Sequence, residues 1–296
     1  MTARALMAIV SAVLAGAPVQ QKDATAVETG RLPAAWPTGA HCSEPDFQTH
    51  EYNADLYILR QSGCTNFEKP FLYLLFGRDR ALLVDSGAKG ADVATAVSDA
   101  RRRWSAAHSG RMLPLIVAHS HGHGDHTAGD TALAVTPQTT VVPGTPEAVQ
   151  RFFALGDWPT GAGTYDLGER MLDIIPIPGH EGASIAIYDR RTGLLLTGDT
   201  LYPGRLYVRD SAAFIASVDR LVEFSRDKVV MHVLGAHIEN MRTPYLDYPE
   251  GTTSQPDEHV LELGRAQLLE LQDGLRSMHG AIVRRAFRDF TIWPVN

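Results

Sequence analysis

Hydrophobic and polar positions change in short, regular blocks along most of the chain, and this pattern predicts a mixed α/β fold. Short apolar runs bounded by turn residues are typical of strands, and they recur in both halves of the sequence. Longer stretches with apolar residues three or four positions apart predict amphipathic helices between those strands. Strands are predicted at 56–59, 71–76, 81–84, 113–118, 140–142, 171–177, 184–188, 194–196 and 229–234, and helices at 90–104, 127–134, 146–155, 212–224 and 256–275.

Two stretches lack this periodicity. Residues 18–50 contain several prolines among small polar residues, which predicts an extended lead-in to the first strand. The segment 156–163 is rich in glycine and contains Trp158. It is predicted to be either a loop that covers a substrate site or a simple surface turn.

The N-terminus has the layout of a secretory signal peptide. Arg4 precedes a short apolar run, 5–14, which is followed by small residues. We therefore expect a signal peptide within 1–26, a single domain over 27–296, and a periplasmic or secreted protein; otherwise the tail is disordered or uncleaved and the protein is cytoplasmic. No other run is long enough to predict a membrane-spanning helix.

The charge and cysteine content narrow the class of protein. The formal net charge of −7 argues against nucleic acid as a partner, because nucleic-acid binding normally requires a basic surface. A small-molecule substrate is expected instead, and the sequence does not predict an oligomeric state. Cys42 and Cys64 are the only cysteines. They are predicted to be separate thiols in a reducing cytosol or a disulfide in an exported protein.

The segment 120–126 concentrates the candidate chemistry of the chain. It reads Ser-His-Gly-His-Gly-Asp-His, so that three imidazoles and one carboxylate lie within six residues directly after a predicted strand. Glycines between them allow a tight turn that directs these side chains toward one point. A solvated histidine-rich turn is the alternative, but metal ligation is the leading interpretation.

This H-x-H-x-D-H run resembles the signature of the metallo-β-lactamase superfamily of metal-dependent hydrolases. The resemblance continues, in matching order, at Pro178–His180, at Thr197–Leu201 and at Gly235–His237. It implies an α/β fold of the αββα sandwich type, in which two packed mixed sheets are flanked by helices. The pattern of elements alone predicts only a mixed α/β domain.

The resemblance also implies a set of metal ligands. Two zinc ions are expected per chain, with iron or manganese as alternatives, and Asp199 is expected to bridge them because a carboxylate has two oxygens. Asp125, besides ligation, is expected to act in catalysis by accepting a hydrogen bond from the nucleophile. Asp85 either supports the metal loop or caps a turn. The predicted ligands are His121, His123 and His180 for one ion and Asp125, His126 and His237 for the other, with Asp199 between them.

These residues predict a hydrolase in which hydroxide held between two zinc ions attacks a small ester, lactone or thioester. An aspartate at position 199 is similar to the glyoxalase II and lactonase branches of the superfamily. The sequence has no cluster of basic residues that would suit the carboxylates of glutathione. Alternative functions are a β-lactamase-like amidase, a persulfide dioxygenase with one iron, and a non-enzymatic metal-binding module.

Four residues that follow Asp199 are candidates for the substrate pocket. An arginine among them can pair with a substrate carboxylate, although a surface loop with ordinary stacking is the favoured interpretation for each residue. They are Tyr202, Arg205, Tyr207 and Arg209.

Overall fold

The computed structural model describes residues 27–36, 39 and 42–295. The predicted signal peptide lies outside these residues, and the single-domain prediction for 27–296 stays a prediction. None of the described helices combines the length and the apolar character that a membrane crossing requires.

Fifteen strands and six helices make up the described part of the chain. The strands are β1 Phe47–Asn53, β2 Leu56–Gln61, β3 Phe71–Phe76, β4 Ala81–Val84, β5 Leu115–Ala118, β6 Thr139–Val141, β7 Gly163–Asp166, β8 Met171–Pro176, β9 Ile185–Asp189, β10 Leu194–Gly198, β11 Arg205–Val208, β12 His232–Gly235, β13 Glu262–Leu263, β14 Arg285–Ala286 and β15 Thr291–Pro294. The helices are α1 Val93–Ala107, α2 Gly124–Thr127, α3 Asp130–Ala134, α4 Pro146–Phe152, α5 Ser211–Phe224 and α6 Arg265–Ser277.

The strands form two six-stranded sheets and one small sheet. The first has the order β1-β2-β3-β4-β5-β6, and the second has the order β13-β12-β10-β9-β8-β7. Both are mixed, because β4, β5 and β6 run parallel in the first and β10 and β12 run parallel in the second, while the remaining neighbours are antiparallel. The third sheet has the order β11-β15-β14.

Alternation along buried strands explains how the layers are held together. In β3, Tyr73 and Leu75 belong to the central core between the two large sheets, whereas Leu72 and Leu74 pack with the side chains of α1. Successive side chains point to opposite faces of a sheet, so an entirely apolar strand must be covered on both sides. Helices α5 and α6 cover the outer face of the second sheet in the same way. The result is the predicted αββα sandwich.

Two predicted helices differ from the structure. The helix predicted at 256–275 begins only at Arg265, because Leu261 and Leu263 are buried at alternate positions and Leu263 pairs with Val233 of β12. That spacing of two is the period of a strand. The helix predicted at 127–134 is divided into α2 and α3, and Gly129 between them packs against the carbonyl of Ser86 too closely for a side chain.

The unpatterned stretches also contain structure. Strand β1 begins within the predicted lead-in, and β11, which follows Asp199, lies where a surface loop was favoured. In the segment 156–163, Trp158 packs against the central core, and no residue of the segment lines the cavity described below. Strands β1 and β11 escaped prediction because their pairing with other strands defines them more than local periodicity does.

Cys42 and Cys64 form a disulfide across 22 positions. Cys64 belongs to the segment 62–70 between β2 and β3, and the bond ties this segment to the chain that precedes β1. The disulfide alternative of the sequence analysis is therefore the one that the structure contains.

Candidate metal centre

Each candidate ligand follows the carboxyl end of a strand. The segment 119–126 follows β5 of the first sheet. In the second sheet, His180 follows β8, Asp199 follows β10 directly, and His237 follows β12. Because these strand ends meet along one edge of the sandwich, residues that are more than a hundred positions apart converge there.

Glycine allows the two sheets to approach each other at this edge. Gly198, directly before Asp199, has a φ of +51°, and a side-chain carbon there would lie 2.7 Å from Cβ of Ser120. Across the same junction the amide of Ile185 donates to the carbonyl of Ser120 over 2.8 Å. The close approach therefore sets the position of Asp199 relative to the histidine-rich segment.

The side chains form two adjacent groups of possible metal donors. Within each group the donor atoms all lie within 4.8 Å of one another. One group holds His121, His123 and His180, and the other holds Asp125, His126, Asp199 and His237. The structure thus brings together all seven residues predicted from the sequence, with Asp199, expected between the two ions, grouped with the second set of donors.

The spacing of donor atoms in the first group suits a small metal ion. Nδ1 of His123 lies 2.9 Å from Nε2 of His121 and 3.1 Å from Nε2 of His180. Donors around a tetrahedral zinc ion with bonds of about 2.0–2.1 Å stand about 3.3 Å apart. The three nitrogens therefore converge on one point at nearly the separation that a shared ion requires.

The second group has the same compactness. Nε2 of His126 and Nε2 of His237 are 3.3 Å apart, and Oδ2 of Asp125 lies 3.2 Å from the first and 3.3 Å from the second. Two imidazoles and a carboxylate form a donor set that zinc accepts.

Asp199 lies between the two groups with one oxygen toward each. Its Oδ2 is 3.8 Å from Nε2 of His121 and 3.5 Å from Nε2 of His180, whereas its Oδ1 is 3.6 Å from His126 and 3.4 Å from His237. Oδ1 is buried and has no hydrogen-bond partner within the part of the chain that the structure describes. A buried carboxylate oxygen without a partner is costly, and a metal ion would supply the missing contact.

In three of the histidines the ring nitrogen that faces away from the donor group has a hydrogen-bond partner, and this contact fixes the direction of the other ring nitrogen. Nδ1 of His180 donates to the carbonyl of Tyr207 over 2.9 Å, and Nδ1 of His237 donates to the carbonyl of Glu68 over 2.8 Å. Nδ1 of His121 is 3.2 Å from Oγ of Ser120. Since each neutral imidazole then has its lone pair on Nε2, the rings are oriented for ligation.

Asp85 supports the ring of His126 and the loop around it. Its Oδ2 lies 3.0 Å from Nδ1 of His126 and accepts a bond of 2.9 Å from Oγ of Ser120, and its Oδ1 accepts from the amide of Ser120 over 2.7 Å. Of the two roles considered for Asp85, support of the metal loop is the one that the structure shows.

The electrostatic environment differs between the two groups. Burial lowers the pKa of His121 and of His180 below the ordinary value, so both rings are neutral at pH 7 and their lone pairs are available. Burial also lowers the pKa of His123, although the carboxylates of Asp199 and Asp125 act in the opposite direction. A neutral imidazole is the form that binds a metal.

Carboxylates dominate the second group. Burial acts to lower the pKa of His237, but Asp199 and Asp125 outweigh it and raise that pKa to about 9. The same two aspartates, with Asp85, raise the pKa of His126 against the effect of burial. Without a metal these rings hold protons between carboxylates, and a cation can replace those protons.

A cavity of about 500 Å³ adjoins the donor groups. Two residues of its wall, Glu68 and Tyr207, are those whose carbonyls accept the bonds from His237 and His180. None of the seven donor residues lines the cavity itself, so these two backbone contacts are what connect its wall to the donor groups. Its wall is assembled from five separate stretches, 67–69, 205–209, 238–239, 249–255 and 293–295.

The four residues predicted as candidates for the substrate pocket differ in burial and in their partners. Arg205 is buried and paired with Glu239 and Asp247, and Tyr202 is buried beside it. Tyr207 and Arg209 line the cavity, as one of the two interpretations proposed. Arg205 also lines it, but as part of an ion-pair network in strand β11 rather than in a surface loop.

Sequence reasoning missed several wall residues. Glu239 follows the ligand His237 by two positions, and that proximity was an available signal. Lys69 and Trp293 line the same cavity, but nothing in the local sequence around either residue indicates that they meet. Their convergence depends on the pairing of β15 with β11 and on the fold of the segment 62–70.

Comparison with known proteins agrees with this geometry. Residues 67–255, more than half of the chain, match the family model described as the metallo-beta-lactamase superfamily. Among solved structures, the metallo-beta-lactamase FIM-1 from Pseudomonas aeruginosa has a TM-score of 0.54 at 14% identity and covers 81% of this chain and 98% of that one. A metallo-beta-lactamase from Pontibacter korlensis has a TM-score of 0.51 at 14% identity, with coverages of 78% and 99%.

Curated relatives are more similar in sequence but match over shorter stretches. A hydroxyacylglutathione hydrolase from Anaeromyxobacter dehalogenans is 36% identical over 132 residues, which cover 45% of this chain and 46% of the relative. An acyl-coenzyme A thioesterase, MBLAC2 from Bos taurus, is 32% identical over 96 residues, or 31% and 33% of the two chains. The chain thus spans half or less of the length of these two relatives.

The family model, the layered fold and the predicted donor residues all indicate the same protein family. The solved structures, at this low identity, support the fold alone. The family model covers both donor groups and most of the cavity wall. This chain belongs to the metallo-beta-lactamase superfamily.

Proposed function

We propose that this protein is a dinuclear metal-dependent hydrolase that acts on small thioesters. The observation that carries the proposal is the position of Asp199, whose two oxygens face two separate donor groups. A residue that served a single ion, or a structural hydrogen bond, would not need both groups of donors around it. Zinc is the proposed metal, since the donors are imidazoles and carboxylates at close spacing.

The relatives support thioesters over other small esters. The two curated relatives are named for hydroxyacylglutathione and for acyl-coenzyme A, and acyl groups are joined to both carriers through sulfur. The family model supports metal-dependent hydrolysis more generally. We therefore place thioesters ahead of lactones and oxygen esters, and β-lactams behind all three.

The chain would hold one ion through His121, His123 and His180 and the other through Asp125, His126 and His237, with Asp199 shared. Bound zinc supplies a Lewis acid that polarises a carbonyl oxygen and lowers the pKa of water. The protein supplies the fixed ring orientations described above and a largely buried carboxylate between the sites.

Asp125 is the proposed proton acceptor. Its side chain is 22% exposed, whereas that of Asp199 is 8% exposed, so Asp125 is the carboxylate of the centre that is more accessible from solvent. Burial acts to raise its pKa, but the neighbouring His126 and His237 lower it well below the usual range. It therefore remains ionised and can accept a hydrogen bond from an attacking water molecule.

We also propose that the protein works in an oxidising compartment. The Cys42–Cys64 disulfide supports this location, because structural disulfides are uncommon in a reducing cytosol.

Metal content and a substrate panel test the function together. The full chain would be stripped with a chelator, reloaded with zinc, and assayed for hydrolysis of a glutathione thioester, an acyl-coenzyme A, an aryl lactone and a chromogenic β-lactam. We expect about two zinc ions per chain, activity that returns with metal, and a preference for thioesters. The variant His279→Asn, which changes an exposed histidine outside the centre, serves as the control and keeps full activity.

Two results would count against the proposal. Fully loaded protein that hydrolyses no member of the panel would contradict a hydrolase. One iron per chain without hydrolysis would favour the persulfide dioxygenase alternative.

A further inference from the structure

The positive charges that line the cavity are not equivalent, and their differences indicate what kind of substrate the cavity accepts. Strand β11 presents Arg205 and Tyr207 toward the cavity, and Arg209, which directly follows the strand, lines it as well, while Leu206 and Val208 between them are buried in the core. This is the two-residue alternation of a strand. The cavity wall thus has one arginine at the start of this short strand and another directly after its end.

Arg205 is fully engaged within the protein. Its guanidinium donates to Oε1 of Glu239 over 2.8 Å, to Oδ2 of Asp247 over 2.9 Å and to the carbonyl of Tyr248 over 2.7 Å, and its Nε donates to the hydroxyl of Tyr207. Two carboxylates more than balance its charge. Arg205 therefore organises the wall and has little capacity left for a ligand.

The second cation, Lys69, is also committed. Its ammonium group donates to the carbonyls of Phe67 and Thr252, and the residue is 2% exposed. Burial lowers the pKa of Lys69 to about 8. This side chain closes the cavity between two loops and is poorly placed to attract a charged substrate from solvent.

Arg209 has the opposite character. It is exposed, and its guanidinium has neither an ion-pair nor a hydrogen-bond partner among residues 27–36, 39 and 42–295. Its backbone, however, is held firmly, because the amides of Arg209 and Asp210 both donate to the carbonyl of Gly179, at 3.0 and 2.9 Å. Gly179 directly precedes the candidate ligand His180.

Arg209 therefore lies beside the first donor group with an uncompensated charge. A planar guanidinium matches a carboxylate through two parallel hydrogen bonds.

The balance of charges limits the partner to a single negative charge. Three glutamates, Glu68, Glu239 and Glu250, also line the cavity, and within the described part of the chain Glu239 alone of the three is paired with a cation. Their repulsion disfavours a polyphosphate, whereas one carboxylate can be matched by the one available arginine.

We propose that Arg209 binds a carboxylate of the substrate and so selects thioesters that bear one negative charge near the scissile bond. This inference rests on the proposed thioesterase function and names the substrate class of the same site. Arg209 is a specificity residue here, and it has no role in holding metal.

Paired substrates that differ only in charge test the inference. On the thiol side the pair is 3-(acetylthio)propanoate and 3-(acetylthio)propanamide, and on the acyl side it is S-ethyl thiosuccinate and its terminal amide. The zinc-loaded full chain would be compared with Arg209→Gln, with Arg209→Lys and with the control Arg102→Gln, which alters an exposed arginine on α1.

We expect Arg209→Gln to lower kcat/KM for the carboxylate substrate of at least one pair by about 10- to 100-fold, mainly through KM, and to change the matching amide less than about threefold. Arg209→Lys should restore part of the loss, and Arg102→Gln should change neither. Calorimetric binding of 3-(methylthio)propanoate and its amide gives a readout without turnover, and the preference for the acid should disappear in Arg209→Gln.

The outcomes separate this inference from the proposed function. Wild-type protein that hydrolyses acid and amide equally in both pairs, with no effect of Arg209→Gln, would overturn the specificity role and leave the thioesterase standing. An equal loss on acid and amide would also overturn it, since a charge-specific contact cannot act on the amide. Absence of hydrolysis of all four thioesters would instead contradict the thioesterase, and acid binding that is unchanged in Arg209→Gln would still overturn the inference independently.

Discussion

The metal centre and the cavity beside it are built in different ways. Four of the seven donor residues lie within 121–126, and each of the others follows a strand end directly or within a few residues. The cavity wall instead combines five stretches that are distant in sequence and are joined by a disulfide, an ion-pair network and the pairing of β11 with β15. The candidate metal donors thus lie largely in local sequence motifs, whereas the cavity wall depends on tertiary contacts between distant stretches.

This difference predicts that substitutions in the metal centre lower the zinc content and kcat. Substitutions in the cavity wall are expected to change the stability of the fold and KM. The largest effect is expected for Asp199→Asn, which removes the charge between the two donor groups. Because loss of a supporting residue alone costs about 10–100-fold, loss of the shared ligand should lower kcat by about 10³-fold or more. Zinc per chain and thioester hydrolysis would be measured with Asp227→Asn, an exposed aspartate, as control. Full activity in Asp199→Asn would contradict the shared-ligand role.

A smaller effect within the centre is expected for Asp85→Asn. The amide keeps the shape but no longer stabilises the ring of His126 with a full charge, so zinc affinity should fall by about 10–100-fold. Competition with a chromogenic chelator measures this affinity. If both the affinity and the activity were unchanged, the support assigned to Asp85 would be wrong.

Outside the centre, the double variant Cys42→Ser, Cys64→Ser removes the disulfide that holds the segment 62–70, and it should lower the free energy of unfolding by about 3 kcal/mol, as expected for opening a closed loop of this length. The segment 62–70 should then be less ordered, and KM should rise more than kcat falls. Denaturant unfolding and steady-state kinetics test both points, and reduction of the wild-type protein serves as a parallel without mutation. Loss of zinc binding in the double variant would show that centre and wall are not separable.

Glu239→Gln tests the ion-pair network of the wall. Arg205 is buried and would retain only Asp247 as a charged partner, so the free energy of unfolding should fall by about 2 kcal/mol. Zinc content should not change. Thermal or denaturant unfolding measures the effect, with the exposed Glu147→Gln as a matched control that leaves stability unaltered.

The smallest effect is expected for Phe67→Ala. This side chain lines the cavity but is 39% exposed, so its removal should change stability by less than about 0.5 kcal/mol. Loss of apolar contact with the substrate should raise KM by about two- to fivefold. Kinetics on a short and a longer acyl chain would show whether the effect grows with chain length, and a fall in kcat without a change in KM would contradict a wall role.

The same contrast explains what the sequence could predict. The seven donor residues were predicted because their motifs are local and because each follows an apolar strand pattern. The αββα arrangement followed from the resemblance, and the confirmed strands, such as β3 and β4, are the ones with the strongest apolar runs.

The wall could not be predicted in the same way. Strand β11 is only four residues long and begins with a charged side chain, so its sequence alone favours a loop; in the structure Glu239 and Asp247 neutralise Arg205, and β15 pairs beside the strand. The error at 256–264 arose because Leu261 and Leu263 continue the leucine-rich pattern of α6, although their spacing is that of a strand. Both features depend on partners that are distant in sequence.

Anomalous diffraction at the zinc edge, on crystals of the full chain reloaded with zinc, tests the central claim most directly. The account predicts two peaks about 3.5–4 Å apart, one within each donor group, with the carboxylate of Asp199 between them. A single peak held by one group alone, or zinc bound away from both groups, would contradict the shared dinuclear centre.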